Sequence, residues 1–183
     1  MGGTKLTSGI TVRQYRDFKD SQDREGIANL IDARFMERYI DPFKNNPSKH
    51  GFAMMAVCCL MMEALFCFRR GRKKTGEKGS DVFEKFFVSS AHLKEFVGLG
   101  GQFYSNVRCG ILHQGETYGG WKILRKGSML SRTDKTINAT AFITALEKEL
   151  HKYTTELKSA PIRSELWRNA IRKLDHVCEN CIV

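Results

Sequence analysis

Residues 52–68 form a run of seventeen with one charged member, Glu63, and Arg69, Arg70, Arg72, Lys73 and Lys74 follow closely. As a helix the run is about 25 Å long. Two surroundings suit such a rod. One is a bilayer, which asks for about twenty apolar residues and favours cations at the flanks. The other is the middle of a helical bundle, where a helix apolar on every side is buried all round. Glu63 decides between them, because an ionisable residue well inside so short a segment is costly in lipid. Residues 52–68 are therefore predicted to be the central helix of a bundle, outside any membrane.

The rest of the chain supplies helices to cover it. Asp23 caps a predicted helix running to about residue 40, with Ile27, Leu30, Ile31, Phe35 and Tyr39 on one face. Asp41-Pro42 stops it, and Asn45, Asn46, Pro47 and Ser48 form a loop. Shorter helical patterns occupy 82–87 and 92–96, and a helix is predicted over 102–114. A helix over 139–157 carries Phe142, Ile143, Leu146, Leu150, Tyr153 and Leu157 on one face. Another, over 161–177, opens on Pro161 in its first turn. Trp121, Ile123 and Leu124, then Met129 and Leu130, flank Lys126-Gly127 and suggest a small β-hairpin. The expected fold is all-α in the main, five or six helices with this hairpin inserted around 121–130. Residues 1–22 read as a polar, ragged N-terminal segment and 23–183 as one helical domain.

Composition narrows the partners. Lys+Arg number 30 against Asp+Glu 20, a formal charge of +10 in 183 residues, which favours nucleic acid, anionic lipid or acidic protein. The first eleven residues hold no apolar signal region. The six cysteines, several inside the apolar run, then read as reduced thiols of a cytoplasmic protein. His176, Cys178 and Cys181 offer half of a zinc knuckle with no matching second half, so an ordinary tail is expected and neither metal nor cofactor is called for. Gly98, Gly100 and Gly101 lack the strand and lysine of a phosphate loop and are read as a turn before the next helix.

Chemistry concentrates in residues 103–114. Arg108 and His113 lie five residues apart, about 7.5 Å along the predicted helix and about 140° around it. The two side chains share no stripe, although a long arginine can swing, and a second copy of the helix could complete a shared site. Histidine titrates near neutrality and can move a proton. Arginine stays charged and can grip a phosphate in two places. Together they suffice for attack of an RNA 2′-hydroxyl on its neighbouring phosphate. Glu63 either orients Arg108 or His113, or sits at a helix edge in water, or pairs with Arg69 or Arg70. Tyr104, one turn before Arg108, either meets a base or phosphate or packs in the core with its hydroxyl in water. The basic run 69–78 is either a solvated loop or an RNA-backbone contact.

Arg108-Cys-Gly-Ile-Leu-His113, within the longer run Phe103-Tyr104, Val107-Arg108-Cys109-Gly110, Leu112-His113-Gln114 and Glu116-Thr117, resembles the HEPN superfamily (higher eukaryotes and prokaryotes nucleotide-binding). The hallmark of that family is Arg, four to six residues, then His, near the end of an inner helix of a bundle. Trp121 and the run Ile137-Asn138-Ala139 leading into a helix extend the likeness, to uncharacterised bacterial members, over roughly residues 30–157. The resemblance implies an RNA-binding or RNA-cleaving helical homodimer. Many members are metal-independent endoribonucleases of toxin–antitoxin, phage-defence or RNA-processing systems, with active sites where two copies of the motif meet. Carried over, Arg108 contacts the scissile phosphate and His113 is the acid or base. An antitoxin or another protein is a further partner the resemblance implies. The family often has Asn, Asp or His after the Arg, and this chain has Cys109. That departure favours the alternative, a non-catalytic HEPN module that binds RNA or a partner protein.

Overall fold

A computed structural model describes residues 4–44, 46–48, 50–76 and 78–181. Gly2 and Gly3 of the polar start, Asn45 of the predicted loop and residue 77 of the basic run lie outside the described residues. The fold is mainly helical, with one small sheet: α1 (Val12–Asp20), α2 (Arg24–Phe35), α3 (Gly51–Arg70), α4 (Gly79–Ser89), α5 (Gly100–Gln102), α6 (Cys109–Gln114), α7 (Ala139–Ser159) and α8 (Glu165–Glu179). A π-helical turn, Met36–Ile40, extends α2 to the expected end. A second one, Phe103–Arg108, joins α5 to α6 as a single motif-bearing helix. Counted that way, the described residues hold seven helices, more than the five or six expected. The difference is α1.

The reading of residues 1–22 as ragged is corrected by α1. Thr11 and Gln14 form a reciprocal cap, each side chain accepting the other's backbone N–H. Tyr15 is buried, and its hydroxyl donates to Asp175 of α8 at 2.7 Å. Leu6 is buried too, so this segment belongs to the core. At the other end, α8 begins at Glu165 rather than at Pro161. Ser164 is its cap, accepting from the Trp167 amide, and Pro161 sits in the preceding turn.

The hairpin is also corrected. β1 (Lys122–Leu124) and β2 (Leu130–Ser131) do not pair with each other; both pair with β3 (Thr136–Asn138), in the order β1-β3-β2. The β1–β3 pair is parallel and the β2–β3 pair antiparallel. Ile137 is fully buried on β3, and Asn138 caps α7 through the Thr140 and Ala141 amides. Three residues that lead straight into a helix cap are too short to show strand alternation, which is why the sequence hides them.

α3 runs through the middle of the bundle, against α4, α6, α7 and α8. Its end is set by Gly71, in the left-handed region at φ 60°, and by the Asn169 side chain of α8, which donates to the Arg69 carbonyl at 2.8 Å. Ten of its residues are buried. The expectation of burial all round fails on one side, however. Ala53 and Leu60 are exposed there, and Ala56, Val57, Glu63 and Ala64 are half-buried. Among the described residues α3 is the one helix long and apolar enough to cross a bilayer.

The motif-bearing helix is fixed by Phe103. Its ring meets Phe83 and Phe87 of α4 at 5.3 Å, Phe96 at 5.9 Å and Phe142 of α7 at 5.5 Å between centroids. Each such pair adds about 0.5–1.5 kcal/mol beyond the area it buries. The preceding glycine turn is held by Glu84, whose carboxylate accepts the Gly98 and Gly100 amides, each at 2.8 Å. A side chain at Gly100 would strike the Glu84 backbone, so α4 and α5 meet main chain to main chain.

Candidate functional site

The π turn arranges the site. The Cys109 amide donates to the Tyr104 carbonyl five residues back, so the wide turn stacks Cys109 over Tyr104 and Arg108 beside it. The Arg108 guanidinium then lies over the Tyr104 ring, 5.6 Å from its centroid. On its other side Arg108 reaches α3, and its Nε donates to Glu63 Oε1 at 3.0 Å. Both side chains are about one-fifth exposed, so the pair is anchored in protein and open to solvent along one edge. No oxygen acceptor among the described residues engages the two terminal nitrogens of Arg108. They form the fork that suits a phosphate.

The electrostatics follow from this placement. Partial burial works against the Arg108 charge, but the hydrogen bond to Glu63, with help from Cys109 and Tyr104, outweighs it and raises its pKa. Interaction with the Cys109 sulfur, ahead of its charge and of burial, raises the Tyr104 pKa and keeps the hydroxyl protonated. Cys59 lies beneath, fully buried on α3, with its thiol pushed up by burial first and by Glu63 second. It is a floor for the site rather than a nucleophile.

Four of the five predicted residues, Glu63, Tyr104, Arg108 and Cys109, therefore meet in one cluster. His113 does not join them. It is exposed in the last turn of α6 and makes no hydrogen bond to a described residue. The Tyr104 ring packs on Phe83 and against Gly79, where a methyl group would overlap it. Tyr104 is thus a wall of the site and not an open stacking platform.

Sequence reading missed two glycines that shape this region. Gly79 lets α4 start directly on Tyr104. Gly110 lets the chain fold back along α6: a side chain there would strike the Glu116 carbonyl and crowd Thr117, while the Tyr118 amide donates to the Asn106 carbonyl at 2.8 Å. The Gly in Arg108-Cys-Gly110 was visible, but its partner, six residues on, gives no local signal. Among the described residues no three His, Cys, Asp or Glu side chains are grouped as metal ligands.

The chain matches no family model, no curated protein and no solved structure. The functional reading therefore rests on residues and geometry.

Proposed function

We propose that this protein is a metal-independent endoribonuclease of HEPN type, working in the cytosol as a homodimer whose sites draw on both chains. The observation that carries the reading is the Glu63-anchored Arg108, held at Nε, with no oxygen acceptor among the described residues on the two nitrogens that would grip a phosphate. His113 supplies the second function, proton transfer. It is on the same helix but turned away, about 7.5 Å along and about 140° around. A second copy brings its own His113 to this Arg108.

An uncovered face supports the second copy. Leu60 is 42% exposed on α3, Phe52 36% at its start, and Leu112 37% on α6, beside His113. With Ala53, Ala56, Val57 and Ala64 they make an apolar stripe whose edge is Glu63. Contiguous exposed apolar surface of this kind marks an interface.

In the proposed reaction Arg108 holds the scissile phosphate and balances the charge that grows on it. One His113 accepts the proton of the 2′-hydroxyl as its oxygen bonds to phosphorus. The bond from phosphorus to the 5′-oxygen breaks, and the leaving oxygen takes back a proton from that same imidazolium, relayed through water. Products carry a 2′,3′-cyclic phosphate and a 5′-hydroxyl. Digestion of varied RNAs in EDTA, with the ends mapped, tests this. RNA with a 2′-deoxy substitution at the cleaved position, and DNA, are expected to survive. A strict need for divalent metal overturns the mechanism.

Glu63→Gln provides a separate measure. The amide keeps the shape and loses the charge that fixes Arg108. Cleavage is expected to fall about 10- to 100-fold, the scale for a reacting group misplaced by ~1 Å, mostly in kcat. Stability should fall by only about 1–2 kcal/mol, since the pair is partly solvated. Equal activity at equal fold content would make Glu63 a structural residue.

A further inference from the structure

The basic segment between α3 and α4 is joined to the Arg108 site at both ends. At its start, Arg70 is seven residues beyond Glu63 on α3. That is close to two full turns, so Arg70 lies on the same face as Glu63, about 10.5 Å further along the axis. Its guanidinium sits exposed over the Phe66 ring. At its end, Lys78 caps α4 and precedes Gly79, the residue that touches the Tyr104 ring. Tyr104 in turn lies under Arg108. Between the two ends, Lys74 is exposed, and neither Lys74 nor Lys78 pairs with a carboxylate among the described residues. Glu77 is the one acidic residue in the sequence of this segment. Elsewhere on the surface, exposed cations such as Lys19, Lys44 and Lys158 have carboxylate partners.

We infer that Arg70, Lys74 and Lys78 form a second phosphate-binding subsite, which holds the RNA backbone where it leaves the Arg108 centre past Tyr104. The inference rests on the RNA reading proposed above and adds where the strand runs. The chemistry is that of a cationic track. It contacts phosphates without reading bases, so it contributes affinity and register but no sequence preference. Cleavage of a long strand then depends on contacts that a very short substrate never reaches.

The experiment uses the full chain and a single-stranded 2′-O-methyl oligoribonucleotide, which binds but lacks the attacking hydroxyl. Affinity is measured across about 50–200 mM salt for wild type, for Lys74→Gln/Lys78→Gln and for Arg168→Gln/Arg172→Gln. The last pair removes the same charge from the outer face of α8, where both arginines are exposed. Each phosphate contact on a single strand contributes about 0.7 to the slope of log affinity against log salt. The Lys74/Lys78 variant is expected to lose about 1.4 of slope, and the Arg168/Arg172 variant to keep the wild-type slope. In cleavage, the Lys74/Lys78 variant should raise KM for long RNA and leave turnover of a dinucleotide unchanged. An unchanged slope in the Lys74/Lys78 variant, or an equal loss in both variants, overturns the subsite. If wild type cleaves no RNA yet the slope falls only in the Lys74/Lys78 variant, the subsite stands and the nuclease reading alone fails.

Discussion

His113→Ala is expected to give a folded protein whose RNA cleavage is lower by about 10²- to 10⁴-fold, the usual worth of a positioned proton-transfer group. The fold should be untouched, because His113 is exposed and bonds to no described residue. Melting temperature and cleavage rate in EDTA, taken on the same sample, separate the two effects. Arg108→Ala should lose activity to a similar degree but also stability, on the order of 1–3 kcal/mol, because Glu63 is left half-buried without its partner. Arg108→Lys retains the charge without the fork and should recover only part of the rate. Full cleavage by His113→Ala would remove the mechanism. RNA binding with no cleavage by the wild type would favour the non-catalytic alternative, in which Cys109, set against Tyr104 and Arg108, marks a site kept for recognition.

Leu60→Glu is expected to convert the proposed homodimer to monomers and to abolish cleavage, although no group of the proposed chemistry is changed. Leu60 is 42% exposed, so a carboxylate there costs the monomer little. In a dimer it would be buried without a partner, at the centre of a contact that ordinarily covers about 800 Å² per partner. Sedimentation at assay concentrations gives the association state. Mixing Arg108→Ala with His113→Ala tests the sharing directly. The mixed dimer joins Arg108 of one chain to His113 of the other and should regain activity that neither variant has alone. Fully active wild-type monomers would refute the shared site.

Much of the helical core was legible from spacing. Ile27, Leu30, Ile31 and Phe35, and likewise Phe142, Leu146, Leu150, Tyr153 and Leu157, repeat at three and four residues and are all buried. α1 was misread because its apolar residues are few, although Thr11 and Gln14 stood at the capping-box spacing. Glu63 could be nominated from sequence, since a carboxylate amid apolar neighbours needs a partner. Its partner, Arg108, is 45 residues away, beyond any local pattern. The open face of α3 could not be seen at all. A helix apolar on every side reads the same whether its last side is covered by its own chain or by another.

The wide turn at Phe103–Arg108 carries one residue more than an α-helical turn would hold in the same span. Such a turn is what remains when a helix absorbs a single-residue insertion without breaking its ladder. Ser105, exposed within it, is the residue that could leave most cheaply. Its removal would let the helix close to ordinary pitch with Tyr104 still one turn before Cys109. The aromatic wall and the guanidinium would then keep their places, as would every helix. The wide turn is thus a point where this chain can change length by one codon without moving its phosphate grip.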